Sequence, residues 1–323
     1  MSIYPNLDPE LATILKGVPM IDLKDVEAAR ALTGGIGTAP AAAAAPEGVE
    51  ISTIAAPGLD DAPDVPIRLI RPTDASGRLA VLLAMHGGGF VLSRAQDFDY
   101  FCVEAVRTLG IAVAGVEYRL APETPYPGPL DDCVAVLRHL HEHGDDLKID
   151  PRRIAVAGSS AGGGLAAGLT LRVRDEGGPA IAFQLLLSPA VDDRLLSHST
   201  NHFVDSPVLT RETAIDSWRH YLGEGYPGPD ATDLPPYAAP RRAENLSDLP
   251  PAYIAVMEID PLRDDNLNYA SDLLHAGVSV ELHLHRGAVH GTAELAPHSA
   301  VGERIVDGLI DALARGLGVP RLA

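Results

Sequence analysis

Ser160 stands in Gly158-Ser159-Ser160-Ala161-Gly162, and of the two adjacent serines only Ser160 has glycine two residues away on both sides. The apolar run Ile154 to Ala157 precedes it and an Ala/Gly/Leu-rich stretch follows. A strand that ends in G-x-S-x-G and turns at once into a helix makes a nucleophile elbow, with the serine hydroxyl raised on a strained turn. Small flanking residues let strand and helix nearly touch there. Alone the motif is weak in a chain with 31 glycines, where a serine-capped helix start gives the same pattern. A second glycine loop shifts the balance. His86-Gly87-Gly88-Gly89-Phe90 follows the apolar run Leu79 to Met85. Consecutive glycines leave backbone N–H groups uncovered, and such groups aimed into a cleft stabilise an oxyanion. With an elbow downstream, the expected donors are the N–H groups of Gly88, Gly89 and Ala161.

An activated serine needs a base, and the base needs an acid to orient it. With an elbow of this kind they follow the serine in the order acid, then histidine. The candidate strand Ala252 to Met257 runs into Glu258-Ile259-Asp260-Pro261-Leu262-Arg263-Asp264. Asp260 falls at the carboxyl end of that strand, where α/β sheets place their chemistry. Glu258, Asp264 and Asp265 remain alternatives, the last two near a helix start where an acid also serves the helix dipole. Of twelve histidines, only His290 lies in a loop after the last expected strand, between small residues in Gly287-Ala288-Val289-His290-Gly291. His139, His141 and His143 are expected on a solvent-exposed helical stretch. His283 and His285 share a strand face without a third ligand nearby, so a solvated face is expected there and no metal site. His298 is expected at the surface, and His86 as a brace of the glycine loop.

Five segments together resemble the bacterial hormone-sensitive-lipase family of α/β-hydrolase esterases. They are His86-Gly87-Gly88-Gly89, Glu117-Tyr118-Arg119-Leu120-Ala121-Pro122-Glu123, Gly158-Ser159-Ser160-Ala161-Gly162-Gly163, Asp260-Pro261-Leu262-Arg263-Asp264 and His290-Gly291, in the family's order across residues 80 to 292. The resemblance implies a catalytic triad of Ser160, Asp260 and His290, the oxyanion donors named above, and no metal or organic cofactor. It also implies a preference for short or medium acyl chains. Ser159 stands where many members carry Asp or Thr, and Thr292 where an aromatic is common; both departures are expected to bear on substrate preference. The leading reading is carboxylic-ester hydrolysis through an acyl-enzyme. Amide, carbamate or lactone cleavage uses the same groups and stays open. A non-catalytic receptor on the same fold, as in the plant gibberellin receptor, lacks the histidine that is present here.

From Val49 onward apolar strand segments alternate with helical ones, which argues a largely parallel sheet covered on both faces. Eight strands are expected: Val49 to Ala55, Val65 to Arg71, Leu79 to Met85, Ile111 to Tyr118, Arg153 to Ala157, Ala182 to Ser188, Ala252 to Met257 and Val278 to Leu284. Helices are expected over Asp22 to Leu32, Asp97 to Leu109, Pro129 to His143, Ala161 to Glu176, Thr210 to Tyr221, Asp265 to Ala276 and Ala300 to Leu317. The fold class is thus α/β, an α/β-hydrolase with a mostly parallel eight-stranded sheet and a helical cap. Residues 46–194 and 249–323 are expected to form the catalytic core. Residues 195–248, where the alternation breaks, are expected to join residues 1–45 as the cap. Gly34-Gly35-Ile36-Gly37 opens a Gly/Ala-rich linker, because no strand precedes it as a phosphate loop would require.

Net charge is −19, from 44 acids against 25 bases. Such a surface repels phosphate backbones and anionic membranes, so nucleic-acid and membrane partners are not expected. A homodimer is compatible with the chain. The residues from Met1 show no basic and then apolar leader, and Cys102 and Cys133 are expected as reduced, packed thiols in the cytoplasm.

Overall fold

The computed structural model describes residues 4–34, 45–226, 228 and 230–322. Eight strands form one sheet: β1 (Val49–Ala56), β2 (Val65–Pro72), β3 (Leu79–Met85), β4 (Ala112–Val116), β5 (Ile149–Ser159), β6 (Phe183–Leu187), β7 (Ala252–Ile259) and β8 (Val280–Val289). Their order is β1-β2-β4-β3-β5-β6-β7-β8. β2 pairs antiparallel with β1 and β4, and every later neighbour is parallel. The interior strands β3, β4 and β7 read as nearly unbroken apolar runs because both of their faces are covered. In β3, Val81, Leu83 and Met85 pack on one side and Ala80, Leu82 and Ala84 on the other. The first side is covered by α4 (Gly128–Glu142), α5 (Ala161–Asp175) and α8 (Arg263–His275). The second is covered by α3 (Asp99–Leu109) and α10 (Ala300–Leu317).

Strand interiors follow the expected runs, most ends shift by one or two residues, and two shift further. β5 starts at Ile149, not Arg153, since Leu79 pairs with Ile149 across an irregularity in register. β8 continues beyond Leu284 to Val289. A second register shift lets Ile259 pair with Val289 past the polar His283-Leu284-His285-Arg286 stretch. The N-terminal helix is shorter than expected. Asp25 accepts the Ala28 N–H, so α2 runs Val26–Thr33. The expected linker begins at Gly34, which ends α2, while residues 35–44, with Gly35, Ile36 and Gly37, lie outside the described residues.

Three short helices had no expectation: α1 (Pro9–Ile14), α6 (His198–His202) and α9 (Thr292–Leu295). Between β6 and β7 the only longer helix among the described residues is α7 (Arg211–Leu222). Thr210 caps it by accepting the Thr213 N–H. α7 meets the N-terminal segment, with Thr213 Oγ1 donating to the Ile21 carbonyl at 3.1 Å and His220 Nε2 lying 2.8 Å from the Leu23 carbonyl. Lys24 and Glu212 form an ion pair in the same contact. Arg30 on α2 reaches the core, donating to the Val91 and Ala121 carbonyls at 3.0 Å each and forking onto Glu123. That hydrogen-bonded guanidinium holds Glu123 down to about 2. Cys102 and Cys133 are free and buried. No helix among the described residues is long and apolar enough to cross a membrane.

Candidate active site

His86, Ser160, Asp260 and His290 each follow directly on the last residue of a strand, β3, β5, β7 and β8. The carboxyl ends of the parallel strands therefore bring together distant residues, Ser160 and His290 across 130 positions and His86 from further still.

The turn at Ser160 is fixed by sterics. Its backbone sits at φ 54° and ψ −118°, a region that L residues rarely enter. A Cβ on Gly158 would lie 2.1 Å from the Gly162 carbonyl oxygen, and one on Gly162 would lie 2.2 Å from that of Met85. Only glycine fits either place. Ser160 N–H donates to the Leu187 carbonyl at 2.8 Å, and its own carbonyl accepts from Gly164 and Ala190. Asn266 on α8 steadies the adjoining turn by donating to the Pro189 carbonyl at 2.6 Å.

His290 Nε2 lies 2.8 Å from Ser160 Oγ, and His290 Nδ1 lies 2.8 Å from Asp260 Oδ2. Asp260 is fully buried, and its other oxygen accepts the Leu262 N–H at 2.8 Å. Burial pushes the His290 pKa down, but the charge of Asp260 and its hydrogen bond outweigh that, with help from Glu294, and raise it above the ordinary 6.5. The other acids left open by the sequence point elsewhere. Glu258 accepts the Gly287 N–H at 2.7 Å, and Asp264 accepts the Ser199 N–H at 2.7 Å. Asp265 is buried, and burial together with Asp192 pushes it up to about 7 against the pull of Arg241.

Gly88 and Gly89 have φ of 106° and 62°, and the loop folds back so that Val91 and Leu92 N–H groups both donate to the Gly88 carbonyl. The N–H groups of Gly88, Gly89 and Ala161 have no acceptor among the described residues, and all three residues line the cleft. His86 braces this loop as expected. Its ring stacks on Tyr118 with centroids 4.2 Å apart, and its Nδ1 lies 2.8 Å from the Gly87 carbonyl. Burial pushes its pKa down to about 4, so it is neutral. Tyr118 OH donates to the His86 carbonyl at 2.8 Å, and Arg119 forks onto the buried Asp132. The Glu117-to-Glu123 segment is thus a brace behind the loop, tied by Glu123 to α2.

The cleft has a volume of about 260 Å³. Ile21, Leu23 and Thr33 from the N-terminal segment and Val208, Thr213, Ser217 and Trp218 from the stretch between β6 and β7 also line it. Ser159 lines it too. Thr292 does not. Buried, it closes the histidine turn, its hydroxyl accepting the Val289 N–H at 3.1 Å and donating to the Val289 carbonyl at 2.7 Å. The other histidines lie apart from this cleft. His283 bonds Glu281, and His141, His143 and His298 are exposed. His139 departs from expectation, being half-buried and packed on His143.

The model of a family described as alpha/beta hydrolase fold matches residues 82–294, which hold all of these groups. The chain is an α/β-hydrolase. It is 39% identical to the carboxylesterase NlhH of Mycobacterium tuberculosis over 99% of this chain and 97% of the relative. It is 46% identical to esterase LipI of the same organism, over 65% of each chain. Among solved structures it is similar to a bacterial heroin esterase, with a TM-score of 0.94, 51% identity and coverage of 97% and 99% of the two chains. These likenesses place this α/β-hydrolase among the carboxylic ester hydrolases of the bacterial hormone-sensitive-lipase type.

Proposed function

We propose that Ser160, His290 and Asp260 form the catalytic triad of this esterase and that it acts on short- to medium-chain acyl esters. The observation that carries the first part is the unbroken line of 2.8 Å contacts from Asp260 through His290 to the serine, ending beside three uncommitted N–H groups. In this reading His290 Nε2 takes the Ser160 proton as Oγ attacks the ester carbonyl. The oxyanion receives hydrogen bonds from Gly88, Gly89 and Ala161. His290 then returns the proton to the departing alcohol, and water activated by the same imidazole releases the acid. Asp260 keeps the ring in the tautomer that offers Nε2 as an acceptor.

The acyl-length assignment is supported by the small volume of the cleft, about 260 Å³. A small cleft covers only short ligands well. We also assign residues 1–45 and 195–248 to the cap, on the strength of the Ile21, Leu23 and α7 contacts. The heroin esterase carries its substrate in its name, and its likeness supports an ester of a bulky alcohol as equally admissible.

The test is kcat/KM on p-nitrophenyl esters from acetate to palmitate and on matching anilides, for the wild type and Ser160→Ala. The expected result is a maximum between acetate and hexanoate, little anilide turnover, and loss of about 10⁴-fold or more in the variant. Comparable efficiency on palmitate would refute the acyl assignment, and an active Ser160→Ala would refute the triad.

A further inference from the structure

Two carboxylates, Asp97 and Glu294, line the otherwise largely apolar cleft, and no lysine or arginine does so among the described residues. Glu294 is on α9, four positions after His290, and close enough to help raise its pKa. It is half-buried, and its Oε1 is fully out of water with no hydrogen-bond partner among the described residues. Asp97 is partly satisfied. Its Oδ2 accepts the Arg94 N–H at 3.1 Å, and the Arg94 guanidinium stands 3.8 Å from Oδ1. Tyr100, three residues further on, meets His298 edge-on with ring centroids 5.1 Å apart, so the two acid-bearing segments adjoin.

A buried carboxylate oxygen without a donor is costly, and a structural carboxylate is normally met by a donor from the protein. Here the protein supplies none to either oxygen of Glu294 among the described residues, and the half-buried carboxylate borders the space where substrate binds. No basic side chain in the cleft competes for it, and the net charge of −19 enriches cations around the whole molecule. We infer that Glu294 is a specificity residue for esters that carry an ammonium group, accepting a hydrogen bond from that group while the apolar wall holds the rest of the alcohol. The inference rests on the ester-hydrolase reading of the same cleft. Asp97 has a lesser part, because its Oδ2 already accepts the Arg94 N–H and the Arg94 guanidinium stands beside it, although its Oδ1 is also buried without a hydrogen-bond partner among the described residues.

The experiment uses two acetates of nearly equal shape, 2-(dimethylamino)ethyl acetate, which is protonated near neutral pH, and 3-methylbutyl acetate, where carbon replaces nitrogen. Initial rates come from titration of released acid, and each kcat/KM is divided by the hydroxide-catalysed rate of the same ester, which removes the intrinsic activation by the ammonium. The wild type is expected to prefer the cationic ester in this normalised ratio. Glu294→Gln is expected to lower the ratio about tenfold, the size of one charge-assisted hydrogen bond. Because both esters meet the same triad, any effect of the variant on His290 cancels. Turnover of 3-methylbutyl acetate shows that the variant is folded, and should it not fold, the wild-type ratio carries the test. A wild type that favours the neutral ester, or a Glu294→Gln ratio equal to the wild type, overturns the inference while leaving the esterase reading intact. Hydrolysis of both esters by Ser160→Ala overturns that reading instead.

Discussion

On one side of the cleft, a Cβ placed at Gly158 or Gly162 would run into main-chain carbonyls at 2.1 and 2.2 Å. On the other side, Leu23, Ser217 and Trp218 bound the substrate space with side chains, on segments joined by a few contacts such as Thr213 to Ile21 and His220 to Leu23. The serine side is built from backbone: parallel pairing, helix starts and glycines with no alternative. The other side is built from side chains on α7 and on irregular chain. Errors on the first side displace reacting atoms, where about an ångström costs orders of magnitude in rate. Changes on the second reshape a surface that touches only the inert part of the substrate. The chemistry is therefore rigidly specified and the selectivity is open to revision.

The sharpest way to break that contrast is Asp260→Asn. It should cost roughly 10⁴ in kcat, with the fold retained, because the ring loses its tautomer and its counter-charge. Stopped-time assays with p-nitrophenyl acetate would show it, and near-wild-type rates would return the acid role to Glu258 or Asp264. A second effect concerns pH. The base must be neutral, and the folded-state pKa of His290 lies above 6.5. Activity is therefore full at higher pH and falls as pH drops through that raised value. In Asp260→Asn the larger of the charges that raise it is gone, and burial acts against Glu294 alone, so the residual activity should persist to lower pH. An acidic limb that does not move would detach Asp260 from His290.

The roof predicts smaller and different effects. Trp218 is 2% exposed and packs on Phe90, so Trp218→Ala should cost about 3–5 kcal/mol of stability. The same change enlarges the cleft and should move the acyl-length optimum toward longer chains. Denaturant melts and the ester series would report both, and an unchanged optimum would show that the roof is not the selectivity filter. Thr213→Val keeps the shape and removes the hydrogen bond to the Ile21 carbonyl. It should cost about 1 kcal/mol, read as a small fall in the denaturation midpoint.

The same contrast governs what the sequence discloses. β3 and β7 are apolar runs flanked by punctuation, and the groups that follow them carry their own signal: three glycines, or an acid before a proline. The positions of Ser160 and Asp260 were legible because each follows a strand that must be buried, and that of His290 because small residues surround it after the last expected strand. The continuation of β8 was not, since its polar residues lie on the outer strand of the sheet, where no burial pattern marks them. α1, α6 and α9 have 6, 5 and 4 residues, too few for a helical period to show. The contacts of the roof are the least legible of all. His220 and Leu23 are 197 positions apart and meet through a carbonyl, which leaves no trace in residue type. Thr292 looked like a gap in a motif until its hydroxyl was seen closing the turn that carries His290.

Ser160 holds its hydroxyl in place with a φ of 54°, a value that glycine adopts freely and serine does not. Such a conformation costs on the order of 1–3 kcal/mol. The working enzyme is thus less stable than one of its own single-step neighbours. Ser160→Gly should melt at a higher temperature than Ser160→Ala, and equal melting points would show the turn to be relaxed. In a lineage that no longer needed the reaction, drift would carry this position toward glycine with a gain in folding stability. On the proposed reading, in which Ser160 is the nucleophile, a serine here would persist only while selection for catalysis opposed that drift.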